Sequence, residues 1–224
     1  MDQNDFDEIA EKYNTILGEQ LKFFDEDDSY FAEYKIIKLK NLLKFEPKSI
    51  LDFGCGIGRS TLFLQRYFPK ASIYGSDTSQ KSLIKAKKLL PSVEFFLIDE
   101  LVNKTNVFDV IFISNVFHHI EPDKRLKTME LISVASKAGA LMVVFEHNPY
   151  NPVTRYLVNT CPFDHDAVLL KPQELKTLFR KVGIKNIGVK YTLFFPGFLK
   201  YLRFLEPYLG FLPLGGQYVV SGNL

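Results

Sequence analysis

Cysteine is scarce: Cys55 and Cys161 are the only two among 224 residues. Two thiols cannot build a disulfide framework or a four-ligand zinc site, and the low count fits a reducing compartment. Free thiols and a cytoplasmic location are therefore expected. The opening residues, Met1-Asp2-Gln3-Asn4-Asp5, lack a basic stretch followed by an apolar one, so they read as no signal peptide. The longest uncharged tract, Pro207 to Leu224, is interrupted by Pro213, Gly215 and Gly216 and carries Gln217, Ser221 and Asn223. That composition argues against a membrane span. Internal repeats, low-complexity tracts and domain linkers are also missing.

What is present describes a packed chain. Apolar residues make up 46% and charged residues 24%, which excludes disordered, collagen-like and coiled-coil classes. The length suits one sizeable domain with a small lid. Net charge is +2, too small to imply nucleic acid, but it is unevenly spread: residues 1–28 hold ten Asp or Glu and two Lys, a balance of −8 that leaves +10 for the other 196. A basic body with an acidic arm could meet an anionic partner. A solvated amphipathic helix is the simpler reading of the arm.

Hydrophobic periodicity supports that helix from Phe6 to about Leu17, through Phe6, Ile9, Ala10, Tyr13, Ile16 and Leu17, with Gly18 as its stop. A second helix is predicted from about Ser29, a plausible cap, to Leu43. The pattern then changes to strands, 49–53, 71–74, 93–98, 108–113 and 140–145, alternating with helices, 59–68, 79–90 and 124–137. Most of these strands are almost continuously apolar, which predicts a mainly parallel sheet covered on both faces. A helix over 171–182 and two closing strands, 186–194 and 217–221, complete the pattern.

Asp52-Phe53-Gly54-Cys55-Gly56-Ile57-Gly58 falls between the first strand of the sheet and its helix, where a doubly wound fold turns its backbone toward a ligand. Glycine at alternate positions lets the main chain approach closely. The dinucleotide fingerprint needs glycine at position 59, which is Arg59 here. Asp77 ends the second strand, placed to accept from ribose hydroxyls, and Asp99 ends the third, placed to accept from an adenine amine. Either could instead serve as a turn or cap residue. All three features lie on the strands' carboxyl-end rim, where open α/β sheets bind ligands.

With the acidic residue before the glycine turn and those after strands two and three, the chain resembles the class I S-adenosylmethionine (SAM)-dependent methyltransferases. Phe108-Asp109-Val110-Ile111 and Ser114-Asn115-Val116-Phe117-His118-His119-Ile120 look like that family's fourth strand and following loop. The resemblance implies a Rossmann-like, doubly wound, mostly parallel seven-stranded sheet with an antiparallel last strand, helices on both faces and an N-terminal helical cap. Residues 1–48 would form the cap and 49–224 the core, in one structural domain, with segments of about 147–170 and 195–214 over the ligand end. It implies SAM as cofactor and S-adenosylhomocysteine as product. Asp52, Gly54, Cys55, Gly56 and Gly58 would line the methionine part, Asp77 would hold the ribose, and Thr78, Asp99 and Glu100 would meet the adenine. Asn115 would place its backbone near the SAM amino group, and Tyr13 would belong to a segment folding over the cofactor.

A sulfonium methyl is already activated, so the enzyme must chiefly align the acceptor and exclude water. No metal is expected, since His118, His119, Glu121 and Asp123 are too crowded in sequence to converge on one ion. His119 and His147 are the candidate bases for an oxygen acceptor, and His118 reads as a packing residue. Glu146, Tyr150 and Arg155, with Asp164 and His165 further on, are candidate acceptor-binding residues on the loop after the fifth strand. Asn148-Pro149-Tyr150 is misplaced for a nucleic-acid amino-methyltransferase, so no nucleic-acid partner is expected. Phe195 to Leu214 reads as an amphipathic lid giving an apolar wall to a small-molecule pocket; contact with a bilayer is disfavoured by its three prolines, with only two positive charges in its favour. Methyl transfer to a small molecule, at oxygen rather than nitrogen, is the leading function, for a monomer or homodimer. A nicotinamide-dependent oxidoreductase and a SAM-binding protein without turnover are the alternatives.

Overall fold

The computed structural model describes residues 28–161 and 167–224. The expected helix from Phe6 to Leu17, Gly18, Tyr13, Asp164 and His165 all lie outside the described residues.

Seven strands form one sheet in the order β3-β2-β1-β4-β5-β7-β6. They are β1 (Ser49–Phe53), β2 (Ser72–Asp77), β3 (Glu94–Leu97), β4 (Phe108–Ser114), β5 (Ser136–His147), β6 (Lys185–Thr192) and β7 (Gln217–Asn223). The first five are parallel, and β7 runs antiparallel to both β5 and β6. This is the expected α/β architecture. β1 is central, with Asp52 opposite Gly75 on one side and Phe112 on the other, so the carboxyl ends of β1, β2 and β4 meet on one rim.

Alternation within the central strands supplies both faces. In β4, Ile111 and Ile113 point into one core, with Leu51, Phe53, Met142 and Val144, while Val110 and Phe112 point into the other, with Ile50, Val143 and Phe145. Two buried faces require both sets to be apolar, which explains the unbroken apolar run. Helices α1 (Asp28–Leu42) and α2 (Arg59–Tyr67) supply Ile36, Leu39, Phe63 and Leu64 to the second core, and α4 (Arg125–Ala135) supplies Met129 and Ile132 to the first. Between α2 and α4 lies α3 (Gln80–Leu89), whose cap is Ser79, accepting from the Ser82 N–H.

Several boundaries differ from the periodicity reading. α1 includes Ser29 within its first turn. β5 starts at Ser136, four residues before the expected Ala140, because Ser136 already pairs with Phe108 across an irregular register. Asp99 does not end β3: the strand stops at Leu97, and Asp99 sits in a 3₁₀ turn, Ile98–Asn103. The loop after β5 contains a helix the periodicity reading lacked, α5 (Pro152–Thr160). Its signal was present as Asn151, whose side chain caps the Thr154 N–H, followed by Pro152 at the first helical position. Helix α6 (Pro172–Lys181) matches expectation.

The segment between β6 and β7 folds as a 3₁₀ helix, Gly197–Leu205, and a short α7 (Glu206–Leu209). Its amphipathic character is as read for Leu199, Leu202 and Leu205, which are half-buried, and for Lys200, which is exposed; Phe198 departs from that face and is exposed together with Tyr201 and Phe204, while Glu206 is buried. Glu206 faces inward because its carboxylate accepts from the Phe194 N–H and the Tyr34 hydroxyl, at 3.0 and 2.6 Å.

Candidate cofactor and acceptor site

The glycine turn is shaped by β1 ending beside β2. The N–H groups of Gly54 and Cys55 both donate to the Ser76 carbonyl, at 2.8 and 2.9 Å. Gly54, Gly56 and Gly58 all adopt positive φ, yet a β-carbon would meet different surroundings at each. At Gly54 it would lie 2.4 Å from the Val116 side chain, and at Gly58 3.2 Å from Ala86 on α3. These two glycines serve packing of the turn against the β4 loop and α3. At Gly56 a β-carbon would meet nothing within 4 Å. Gly56 faces open space on the rim where a ligand is expected.

Asp77 stands beside that space. Its Oδ2 accepts from the Gly56 N–H at 2.8 Å and its Oδ1 from the Ser79 N–H at 2.9 Å. A carboxylate has roughly four acceptor positions, and Asp77 is 9% exposed at the edge of this space. Thr78, next in the chain, is exposed. On the third strand's side, Asp99 and Glu100 are exposed, and Glu100 accepts from the Leu97 N–H at 3.0 Å, acting as a local cap.

Asp52 and Cys55 lie beneath the turn rather than at its surface. The Asp52 carboxylate is buried and accepts from the Thr61 hydroxyl at 2.6 Å, fastening α2 to β1. Burial pushes its pKa up to about 7, with Asp77 adding to the rise and Thr61 and Lys35 opposing it. Burial also raises the Cys55 thiol well above its ordinary value. Lys35, which the sequence reading missed, is the buried cation of this region: its Nζ donates to Ser114 at 2.7 Å. Burial lowers its pKa to about 8 against the pull of Glu146 and Asp52. Its position on a helix before β1 gave no motif to read, and only the fold brings it under the rim.

The loop after β4 carries the histidines. Asn115 holds a left-handed conformation, φ 58°, with its N–H donating to the Phe145 carbonyl and its Oδ1 accepting from Gln217 at 3.2 Å. The next turn, Phe117–His119, is held from inside by Glu146. One Glu146 oxygen accepts from the Val116 and Phe117 N–H groups at 3.1 and 2.7 Å, and the other lies 2.6 Å from His118 Nδ1. Burial alone would raise the Glu146 pKa, but the positive field and hydrogen bond of His118, with His147 and the Phe117 N–H, leave it below its ordinary value. Glu146 is thus a buried carboxylate that fixes the turn, not one exposed to an acceptor. The His118 ring lies 4.2 Å from that of His119 and 5.1 Å from that of His147. His119 and His147 are half-buried, whereas His118 is enclosed.

From outside, the same turn is held by Arg125, whose guanidinium is buried. It donates to the carbonyls of Phe117, Ile120 and Val168 and to Glu174, the last two at 2.6 Å. Helix periodicity assigns Arg125 to a surface, so sequence gave no sign of this role. Of the other candidates, Tyr150 and Arg155 are exposed, on the loop before α5 and on α5 itself. Among the described residues no group of three or more His, Cys, Asp or Glu is arranged to hold a metal ion.

A mostly parallel sheet with a glycine turn after β1, an acid at the end of β2 and one antiparallel strand, β7, between β5 and β6 defines the class as a Rossmann-like fold. Residues 50–139 match the family model described as a methyltransferase domain. The trans-aconitate 2-methyltransferase of Rhodopseudomonas palustris (strain BisB5) is 30% identical over 149 residues, covering 62% of this chain and 54% of that one. The demethylmenaquinone methyltransferase of Thermotoga maritima is 30% identical over 141 residues, covering 62% and 58%. The chain thus spans little more than half the length of these curated relatives. A solved T. maritima structure described as a SAM-dependent methyltransferase, possible histamine N-methyltransferase, superposes with a TM-score of 0.70 at 19% identity, covering 99% of both chains. The chain is thus similar to SAM-dependent methyltransferases, through the methyltransferase-domain match over residues 50–139, through these relatives and, in its fold, through the solved structure.

Proposed function

We propose that the chain transfers a methyl group from SAM to a small-molecule acceptor, at oxygen rather than nitrogen. The observation that carries the cofactor reading is the open space at Gly56 beside the Asp77 carboxylate. Bulk is missing where a nucleoside would lie, and an acceptor of the right charge flanks it. Bound SAM would supply a methyl group on a positively charged sulfur. Asp77 would accept from the ribose hydroxyls, Thr78 and Asp99 would border the adenine, and the Gly56 and Asn115 backbones would lie along the amino-acid part. Asp52, Cys55 and Glu100 support these positions from beneath or beside them.

The oxygen preference rests on the half-buried imidazoles of His119 and His147, each tilted against the His118 ring that Glu146 holds. An alcohol must lose a proton as its oxygen attacks carbon, and a placed imidazole removes it, typically for about 10²- to 10⁴-fold in rate. Glu146 and Arg125 hold the turn that carries His119, so both are positioning residues. Tyr150 and Arg155 border this end of the sheet and would meet the acceptor, Arg155 suiting an anionic group.

Calorimetric titration with SAM and with NAD tests the reading. Saturable heat with SAM and none with NAD is expected; a preference for NAD would favour an oxidoreductase. If SAM binds but no panel of hydroxyl or amine acceptors is methylated, the reading falls back to a binding protein without turnover. Methylation of amines alone would overturn the oxygen assignment.

A further inference from the structure

The segment between β6 and β7 turns its leucines partly inward and its aromatic rings outward. Residues three apart in a 3₁₀ helix lie in line, as Tyr201 and Phe204 do within Gly197–Leu205, with Phe198 before the kink at Leu199. Tyr208, Phe211 and Leu214 continue the series at spacings of three and four. All six are 63–75% exposed, and of the charged groups among them Lys200 is exposed while Arg203 and Glu206 are held by hydrogen bonds. Glu206, the only acid between 195 and 214, is buried and bonded to Tyr34 and the Phe194 N–H. Arg203 donates to the Phe195 carbonyl at 3.2 Å and lies 4.4 Å over the Tyr30 ring. The segment cannot roll its rings inward without breaking these bonds.

Contiguous exposed apolar surface of this kind marks an interaction site. Among the described residues its border carries basic groups. Lys200 is exposed within the stripe, and Lys190 is exposed beside Gly210. Lys38 lies 5.0 Å over the Tyr34 ring. The side chains of Asn148 and Asn151 bond the carbonyls of Pro213, Leu214 and Gly215, bringing α5 alongside with its exposed Val153, Arg155 and Tyr156. Residues 29–224 together carry +10.

We infer that this face docks on an anionic lipid surface. Its aromatic rings would enter the boundary between headgroups and acyl chains, and its lysine and arginine border would meet lipid phosphates. Among the described residues no helix is long and apolar enough to cross a membrane, so the contact is peripheral. A two-fold pairing with a second copy fits less well, because it would set the lysine border against itself.

Co-sedimentation of the full chain with vesicles tests this, using phosphatidylcholine alone and phosphatidylcholine doped with phosphatidylglycerol. The chain should bind the doped vesicles and leave them in high salt. The double variant Phe204→Ser, Tyr208→Ser should lower binding roughly tenfold or more, with circular dichroism confirming that it is folded. Lys200→Glu should weaken binding to doped vesicles selectively. No binding of the full chain to doped vesicles would overturn the inference, as would unchanged binding by the double variant. So would a stable dimer that the double variant splits while vesicles take up neither form.

Discussion

Replacing Gly56 with alanine separates the cofactor's requirement from the fold's. A methyl group at this position enters open space, so its only structural cost is the positive φ of 54°, about 1–2 kcal/mol for a residue with a β-carbon. In a chain of this size that lowers Tm by about 2–4 °C per kcal/mol. Gly54→Ala carries similar strain at φ 74°. It also drives a methyl to 2.4 Å from one Val116 methyl and 3.3 Å from the Val116 β-carbon. Valine is stiff at χ1, so relief requires the loop to move, and overpacking adds about 1–3 kcal/mol. Thermal unfolding should therefore rank Gly54→Ala well below Gly56→Ala. Titration with S-adenosylhomocysteine should show the opposite emphasis: Gly56→Ala stays folded but loses at least about tenfold in affinity, or 1.4 kcal/mol. Wild-type affinity in Gly56→Ala would refute the placement of the cofactor, and equal destabilisation of the two variants would refute the division of labour between the glycines.

Asp77→Ala should weaken SAM binding by about 1.5–3 kcal/mol, the loss of a charged hydrogen-bond acceptor, measured by the same titration. His119→Ala or His147→Ala should lower kcat by about 10²- to 10⁴-fold on an alcohol acceptor while leaving SAM affinity nearly unchanged; similar turnover in both variants would remove the general base. Glu146→Gln should destabilise the fold by about 3–5 kcal/mol, because a buried carboxylate leaves its partners behind. Because the Glu146 pKa is depressed in the folded state, its stabilisation is present above the ordinary carboxylate pKa and lost as pH falls through the folded value, so this variant should show a shallower loss of stability in acid. Asp52 has the opposite sign. With its folded pKa raised to about 7, the native state takes up the proton, and stability falls as pH rises from the ordinary carboxylate value toward 7. Asp52→Asn should flatten that limb in urea unfolding measured across pH.

The sheet was legible because a strand buried on both faces must be apolar at every position, and Ile50-Leu51 and Val110-Ile111-Phe112-Ile113 are. The glycine turn and Asp77 were legible because their spacing is local to one βαβ unit. Residues that act across the fold left no such trace. Lys35 reaches Ser114 from 79 positions away and Arg125 reaches Glu174 from 49, and neither position differs by type from a solvated helix residue. Glu146 read as a loop carboxylate because sequence does not show that Val116, Phe117 and His118 converge on it. In the segment from 195 to 214 periodicity placed Leu199, Leu202 and Leu205 on the inner face and Lys200 outside, but it did not show that Phe198 turns outward or that Tyr34 and the Phe194 N–H draw Glu206 inward.

The central claim is that the open space over Gly56, beside Asp77, is shaped for an adenosyl sulfonium cofactor. A crystal structure of the chain grown with S-adenosylhomocysteine tests it most directly. The account predicts both ribose hydroxyls on the Asp77 carboxylate and the amino-acid tail against Gly56; density for the compound elsewhere, or an empty cleft at saturating concentration, would contradict it.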